Sequence, residues 1–208
     1  MSELNNFPFY ERPDLSPYLV HLTKNTRAKD EFTAYDNLIN ILKEGSVWGS
    51  DKRGFIKGPN EAACFMDIPL TSLKYIINDK NCTVDDPRYE PYGVVITKKY
   101  AYEHGCRPVL YLSNQEMRDL QIPESEKWRV VRLDGVDGKS VNWVHEREWR
   151  CKGDFKLPSE PIAVLVENPN IAQRLQKRLF RSPKLYKSIP KSIIPLTVVC
   201  QGLPYLTL

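Results

Sequence analysis

The segment 142–152, NWVHEREWRCK, constrains the fold more than any other part of the sequence, because charged and aromatic residues alternate along it. The side chains of a β-strand alternate between two faces, so a strand here places Glu146, Glu148 and Arg150 together on one face. Two adjacent carboxylates repel unless a cation or a hydrogen-bonding ligand uses them. The pair therefore predicts an acid–base or ribose-binding site, and the alternative is a solvated edge strand with alternating charge.

The opposite face of the same strand carries aromatic residues. Trp143, His145 and Trp149 alternate with the glutamates, and we expect them to be core residues that hold the strand in place. This face is not expected to contribute catalytic groups.

The composition is that of a soluble protein with one core. The chain has 208 residues, of which 41% are hydrophobic and 27% are charged. Residues 1–17 contain three prolines among polar residues and predict an irregular arm, so the expected domain spans 18–208. No apolar run approaches the length of a membrane span and no apolar signal segment opens the chain, so a cytoplasmic, non-membrane protein is expected.

The five cysteines are widely spaced and form no C-x-x-C motif. No histidine cluster accompanies them, so the sequence predicts neither a disulfide framework nor a metal site. Reduced, mostly buried thiols are expected.

Positive charge is concentrated near the end of the chain. The net charge is +4, and no Asp or Glu follows Glu167. Asn168 as a cap and Pro169 as the first residue predict a helix near 169–181. Its basic residues are Arg174, Lys177, Arg178 and Arg181. Such a helix is typical of a surface that binds nucleic acid or an acidic protein, and the alternative is a solubilising helix face.

Short strands separated by helices predict an α+β architecture. The capping pair Thr33 and Asp36 predicts a helix that ends at Gly45, and Ser113 with Glu116 predicts another. Residues 18–23 predict the first core strand, and a single histidine such as His21 in an apolar strand is more often a core residue than a catalytic one. The sequence has no glycine-rich phosphate loop.

Several segments occur in an order found in a known family. They are 20–23, 37–45, 63–70, 92–96 with 108–111, and 146–150, the last reading EREWR. In this order the chain, over 18–200, resembles the ADP-ribosyltransferase-like proteins of bacterial toxin and phage-defence systems, such as AbiGi-type abortive-infection proteins and DarT-type toxins that modify nucleic acid. The resemblance implies a split mixed β-sandwich with flanking helices and an NAD cleft between two small sheets.

The resemblance also implies which residues bind NAD. His21 on the first strand would hydrogen-bond a ribose, and Thr23 would lie near the nicotinamide amide. Leu22, between them, belongs to the same cofactor-binding strand, and Phe65 would line the nicotinamide pocket.

The catalytic residues implied by the resemblance are Glu148, Glu146 and Arg53. Glu148 would be the final catalytic glutamate, Glu146 would orient or deprotonate the acceptor, and Arg53 would approach the phosphates and the reacting centre. The chain departs from the family in one respect, because it combines the histidine of one branch with the Glu-x-Glu of another. A tyrosine of the histidine branch has three candidates, Tyr75, Tyr92 and Tyr111.

The resemblance implies an NAD-dependent mono-ADP-ribosyltransferase toxin, with a nucleic acid acceptor favoured by the basic helix and a cognate antitoxin as a further partner. Three other functions stay open. The first is a non-catalytic antitoxin or binding module for an acidic partner or nucleic acid. The second is a transferase with a protein acceptor. The third is a metal-dependent nuclease built on Glu146, Glu148, Asp67 and His145.

Overall fold

The computed structural model describes residues 14–26, 32–51, 55–78, 88–134 and 143–200. The strands in these ranges are β1 (Tyr18–Leu22), β2 (Ser46–Val47), β3 (Ala62–Met66), β4 (Gly93–Thr97), β5 (Arg107–Pro108), β6 (Leu110–Leu112), β7 (Val130–Arg132), β8 (Glu148–Lys152), β9 (Phe155–Lys156), β10 (Ala163–Val166) and β11 (Ile193–Pro195). The α-helices are α1 (Ala34–Glu44), α2 (Lys98–Glu103), α3 (Asn114–Asp119), α4 (Pro169–Arg181) and α5 (Leu196–Val199). Short 3-10 helices span Leu70–Tyr75, Glu124–Arg129, Val144–Glu146 and Pro183–Leu185.

The main sheet has seven strands in the order β11-β10-β4-β1-β3-β8-β5. All neighbouring pairs in it are antiparallel except β10 and β11, which are parallel and are connected through α4. Strands β2 and β9 form one small antiparallel pair, and β6 and β7 form a parallel one. The predicted α+β class is confirmed.

The main sheet is split between β1 and β3. Strand β1 pairs with β4 along its whole length, from Tyr18 to Leu22, but it pairs with β3 only at Val20 and Met66. We call β11-β10-β4-β1 the first half-sheet and β3-β8-β5 the second half-sheet. Because backbone hydrogen bonding ends after one residue pair, the two half-sheets diverge beyond Val20.

Close packing of β1 against β4 requires a glycine at one position. Gly93 lies opposite Leu22, and a Cβ atom there would come within 2.3 Å of the His21 carbonyl oxygen. Any larger residue would push the two strands apart at the level of His21.

The core lies on both faces of the main sheet. On one side, here called the α1 face, Leu19, Phe65, Val94 and Val164 pack against Leu38 of α1 and Leu175 of α4. On the other side, here called the Glu148 face, Val20, Met66, Val95 and Leu165 pack against Leu73 of the first 3-10 helix and Leu196 of α5. Alternate residues of each strand enter opposite clusters, as the pleat of a β-strand requires.

Local capping signals place the helices correctly. Thr33 and Asp36 form a capping box at α1, and Gly45 ends it with φ +63°. Ser113 and Glu116 form the second box, at α3. Asn168 caps α4, which begins at Pro169.

Two strand predictions differ from the structure. The apolar run 108–112 predicts one strand, but it is divided between β5, which pairs with β8, and β6, which pairs with β7. Residues 193–200 also predict strand structure, but β11 ends at Pro195 and α5 begins at Leu196. Leu196 is fully buried in the Glu148-face cluster, so its packing outweighs the strand propensity of the threonine and valines that follow it.

Candidate active site

Glu148 and Arg150 form a buried ion pair on β8. Their side chains are on the same face, as the strand alternation predicted, and the residues are only 9% and 4% exposed. The Arg150 guanidinium donates from Nε to Glu148 Oε1 at 2.8 Å and from Nη2 to Oε2 at 3.1 Å. Arg150 Nη1 donates to the Trp128 carbonyl at 2.8 Å. This bidentate geometry fixes the carboxylate in one orientation.

Glu146 does not lie on the strand, so the predicted strand 142–152 is wrong before Glu148. Val144–Glu146 is a 3-10 turn, and Arg147 has φ +44° and ψ 53°, a left-handed conformation. This conformation breaks the pleat between the two glutamates, so Glu146 approaches the Glu148 face from a turn.

The Glu146 carboxylate has its own hydrogen-bond donors. Tyr89 Oη donates to Glu146 Oε1 at 2.5 Å, and Arg88 Nη2 donates to the same oxygen at 3.0 Å. Glu146 is 7% exposed, whereas the Arg88 side chain is 37% exposed. This carboxylate is therefore buried beside groups that reach the surface.

Burial raises the pKa of Glu146, and the negative charge of Glu148 raises it further, against the opposing effects of Tyr89, Arg88 and His145. The contribution from Glu148 shows that the two carboxylates are close enough to repel each other, as the sequence predicted. A carboxyl group with a raised pKa exchanges a proton at a pH nearer to neutral than an ordinary glutamate does.

Tyr111 connects the two glutamates through the backbone. Its hydroxyl accepts from the Glu148 N–H at 3.0 Å and donates to the Trp143 carbonyl at 3.5 Å. Of the other candidate tyrosines, Tyr75 is 70% exposed, and the Tyr92 hydroxyl donates to Glu167 at 3.0 Å. Tyr111 is therefore the one of these three tyrosines whose hydroxyl contacts the backbone of both glutamate segments.

The aromatic residues before β8 are not the expected core layer. The Arg88 guanidinium carbon stacks 3.5 Å from the centre of the half-buried Trp143 ring. His145 is exposed, since the 3-10 turn directs it to solvent. Trp149, which does lie on the strand, packs against the α1-face cluster. Only the residue inside β8 follows the predicted alternation.

His21 lies at the split between the half-sheets. Its Nδ1 is 2.8 Å from the Cys64 carbonyl on β3, which can only accept, so Nδ1 carries the proton. Burial lowers the pKa of His21, which favours the neutral ring. In that tautomer Nε2 is an acceptor that has no hydrogen-bond partner among the described residues, and it is suited to a hydroxyl donor.

His21 and Glu148 are on opposite faces of the sheet. His21 pairs with Val94 of the α1-face cluster, whereas Glu148 pairs with Met66 of the Glu148-face cluster. Cys64 lies between them, because its carbonyl contacts His21 and its thiol lies against Glu148. Burial and the nearby Glu148 charge raise the pKa of the Cys64 thiol, so it stays protonated.

The other predicted cofactor-binding residues occupy different surroundings. Phe65 is 1% exposed and packs edge-on against His21, with ring centres 5.8 Å apart. Its side chain is therefore almost completely covered by the protein. The Thr23 hydroxyl donates to the Ala34 carbonyl at 2.8 Å, which ties β1 to α1. Leu22 is half-buried in the Glu148-face cluster. Arg53 lies outside the described residues.

The four basic residues of α4 are all exposed. Arg178 also donates from Nε to the Tyr186 hydroxyl at 3.1 Å. Helix α4 contacts β10 and β11 in the first half-sheet, whereas Glu148 lies in the second.

Sequence reasoning missed Tyr89 and Arg88 and assigned no role to Arg150. The spacing of Arg150 two residues after Glu148 is a usable signal, because strand neighbours at i and i+2 share a face. Tyr89 and Arg88 are 57 and 58 residues from Glu146, and no local pattern connects them.

Within the described ranges, no group of three or more His, Cys, Asp or Glu side chains is arranged to hold a metal ion. Among the helices of the same ranges, none has both the length and the apolar character that a membrane crossing requires.

No family model and no curated protein matches this chain. Two solved structures have a similar fold. One is Thermus sp. 2.9 DarT in complex with carba-NAD⁺, at 14% identity and a TM-score of 0.49, with 91% of this chain and 98% of that chain covered. The other is the same organism's DarT in complex with NAD⁺, at 15% identity and a TM-score of 0.46, with 88% and 96% covered.

Proposed function

We propose that this chain is an NAD⁺-dependent mono-ADP-ribosyltransferase toxin whose acceptor is a nucleic acid. The observation that carries the proposal is the arrangement of two buried carboxylates beside the split sheet. Glu148 is fixed by Arg150, and Glu146, with a raised pKa, is held by Tyr89 and Arg88. The segment order that resembles ADP-ribosyltransferase-like proteins supports the same conclusion.

In the first half of the reaction, the bond between the ribose C1 and the nicotinamide nitrogen breaks, and the electron pair leaves with nicotinamide. The ribose becomes an oxocarbenium-like cation. A fixed carboxylate such as Glu148 stabilises this charge as it develops and accepts a ribose hydroxyl. His21 Nε2 is free to accept a second ribose hydroxyl from the other side of the split.

In the second half, a nitrogen or oxygen of the acceptor forms a bond to the ribose C1 and loses a proton. Glu146 is the group suited to receive it, because burial raises its pKa towards neutral pH. The products are the ADP-ribosylated acceptor, nicotinamide and one proton. Glu148 and Glu146 thus take different roles, one electrostatic and the other as a base.

The acceptor is proposed from the charge on α4. Arg174, Lys177 and Arg181 project to solvent, and within the described ranges no acidic residue follows Glu167. The helix packs on the α1 face beside β10, four strands from β8, whereas Glu148 lies on the opposite face. With strands about 4.8 Å apart, the two are separated by roughly 20 Å within the plane of the sheet. An extended single-stranded nucleic acid that passes around the sheet is long enough to contact both. We propose that a cognate antitoxin restrains the activity.

The second candidate is a non-catalytic module that uses α4 to bind an acidic partner. The exposed basic side chains of α4 support this candidate too, because they can bind an acidic protein as well as a nucleic acid. The two functions differ in whether NAD⁺ is consumed.

The test is transfer of label from NAD⁺ to purified RNA or single-stranded DNA. Glu148→Gln is expected to reduce transfer by about 10²- to 10³-fold, because it removes the charge that stabilises the cation. Glu103→Gln, which changes an exposed glutamate on α2, is the matched control and should transfer normally. Equal labelling by wild type and Glu148→Gln contradicts the proposed role.

Thermal unfolding with NAD⁺ separates binding from catalysis. NAD⁺ should stabilise both wild type and Glu148→Gln, since a ligand raises stability according to its occupancy. Absence of both stabilisation and label transfer in the wild type would favour the binding module.

A further inference from the structure

An open cavity of about 600 Å³ lies between the segment around Lys57, helix α3 and the 3-10 helix Glu124–Arg129. It is lined by Lys57, Gly58, Asn114, Met117, Glu124 and Lys127, among others. Gly58 has φ +80°, and a Cβ atom there would lie 2.8 Å from the Glu124 carbonyl oxygen. Glycine at this position lets the Lys57 segment pack directly on the 3-10 helix Glu124–Arg129, which fixes the wall of the cavity.

Lys57 is the charged residue of this cavity that has no carboxylate partner among the described residues. It is half-buried, and its Nζ donates to Asn114 Oδ1 at 2.9 Å. The amide oxygen of Asn114 accepts one hydrogen bond from the Lys57 ammonium, but it does not neutralise the positive charge. Two further N–H groups of the ammonium remain for a ligand.

Cations surround Lys57. Burial lowers the pKa of Lys57, and the positive charges of Arg132, Arg150 and Lys127 lower it further, while Asp134 acts in the opposite direction. Each of those three cations has its own carboxylate: Asp134 for Arg132, Glu148 for Arg150 and Glu124 for Lys127. The three surrounding ion pairs are each neutral, so Lys57 adds one positive charge without a carboxylate of its own, which favours a bound anion.

The cavity adjoins the candidate active site through a single side chain. Arg150 lies close enough to Lys57 to act on its charge, and it binds Glu148 directly at 2.8 Å. An anion beside Lys57 would thus lie one residue away from the carboxylate that contacts the ribose in the proposed reaction.

We propose that Lys57 and Asn114 form a phosphate-binding subsite next to the active site. The ligand chemistry is a phosphate ester or anhydride. In the proposed function it belongs either to the pyrophosphate of NAD⁺ or to the backbone of the nucleic acid acceptor. The identity of the natural ligand rests on the proposed function, but the anion site does not.

The direct test uses inorganic pyrophosphate and thermal unfolding. Pyrophosphate should stabilise the wild type, and Lys57→Met, which keeps the length of the side chain without its charge, should raise the apparent Kd about tenfold. Lys57→Arg should retain most of the stabilisation. Lys99→Met, at an exposed lysine of α2, is the matched control. The proposal is overturned if wild type and Lys57→Met respond equally or if neither responds.

Two kinetic measurements identify the source of the phosphate. If it belongs to NAD⁺, Lys57→Met raises the KM of NAD⁺ hydrolysis about tenfold and leaves the Kd for a single-stranded oligonucleotide unchanged. If it belongs to the acceptor, the oligonucleotide Kd rises and the slope of log affinity against log salt falls by about 0.7, with the KM unchanged. A Lys57-dependent response to pyrophosphate without any NAD⁺ consumption supports the subsite and rejects the proposed function.

Discussion

The two glutamates at the candidate site are both buried and both contact an arginine, but they differ in backbone conformation and in the exposure of their partners. Glu148 begins a strand and meets a guanidinium that is itself 4% exposed and bonded to backbone carbonyls. Glu146 ends a 3-10 turn and meets a tyrosine hydroxyl and a half-exposed arginine. The first environment holds a fixed charge, and the second allows a proton to enter and leave.

This difference supports the two separate roles that we propose for the glutamates of one short segment. A residue between the carboxylates, Arg147, adopts a left-handed conformation and separates their backbones. If both glutamates were on one strand, they would share neighbours and solvation. The turn instead gives Glu146 partners from a distant segment, so burial, Tyr89 and Arg88 each affect its pKa more than Glu148 does.

The largest expected effect tests the closed environment of Glu148. Arg150→Ala leaves a buried carboxylate without its partner and should lower the free energy of unfolding by about 3–5 kcal/mol. Arg88→Ala, beside Glu146, should cost less than about 1 kcal/mol, because that ion pair reaches solvent. Urea unfolding of both variants measures the difference.

A surface control and a paired substitution sharpen this result. Arg118→Ala, at an exposed arginine of α3, should change stability by less than about 0.5 kcal/mol. Replacing Glu148 and Arg150 together by leucine and methionine should recover much of the loss, since it removes both charges. Equal losses for Arg150→Ala and Arg88→Ala would remove the distinction between the two environments.

The second prediction separates the two roles kinetically. Glu146→Gln should reduce transfer to the acceptor by about 10²-fold, because general base catalysis typically contributes at least that factor. Hydrolysis of NAD⁺ by water should change much less, since it depends on the charge of Glu148. Glu148→Gln should reduce both reactions, and assays of nicotinamide release and label transfer on the same preparations compare them.

An equal loss of both reactions in Glu146→Gln would contradict this assignment. If Glu146→Gln lowers hydrolysis and transfer equally, Glu146 acts on the ribose and not on the acceptor. The assignment of roles would then have to be exchanged or merged.

The sequence predicted the elements that depend on local signals and failed where distant contacts decide. Thr33 with Asp36, and Ser113 with Glu116, marked two helix starts, because a capping box is contained within four residues. The face shared by Glu148 and Arg150 followed from strand periodicity. The left-handed conformation of Arg147 could not be predicted, because non-glycine residues rarely adopt it and arginine is not a residue type that favours it.

The partners of Glu146 show the same limit. Tyr89 and Arg88 reach Glu146 from a segment that precedes β4, and the described part of the chain between Tyr89 and residue 134 forms four strands, two α-helices and a 3-10 helix. A pattern in one sequence cannot reveal such a contact. A split sheet was expected only from the family resemblance, and its position at His21 was not predicted, because the single residue pair between β1 and β3 leaves no periodic signal.

The third prediction concerns the pH dependence of transfer. Glu146 must be ionised to accept a proton, so transfer should rise with pH through its raised pKa. Tyr89→Phe removes the hydrogen bond that most opposes the raised pKa, so the pKa should rise further and the acid limb of the transfer rate should move to higher pH. A limb at unchanged pH would show that another group controls it.

The smallest expected shifts of the acid limb come from replacing Arg88 and His145, the other two side chains that lower the pKa of Glu146. Both lower the pKa of Glu146, Arg88 more than His145, whose ring nitrogen lies 3.9 Å from the carboxylate at the exposed end of the turn. Arg88→Met should therefore move the acid limb upward by less than Tyr89→Phe does, and His145→Gln by less again. Transfer rates measured across pH at saturating NAD⁺ give the three midpoints.

The same proton also links Glu146 to stability, with a defined sign. Its pKa is raised in the folded protein above the ordinary value of 4.5, so the folded state binds the proton more tightly than the unfolded state. The stabilisation is complete below pH 4.5 and is lost as pH rises through the folded-state pKa. Tyr89→Phe should widen that window, whereas Glu146→Gln should abolish this part of the pH dependence. If the pH dependence of the unfolding free energy is unchanged in Glu146→Gln, that pH dependence belongs to other titrating groups. The difference between Glu146 and Glu148 would then rest on the kinetic measurements alone.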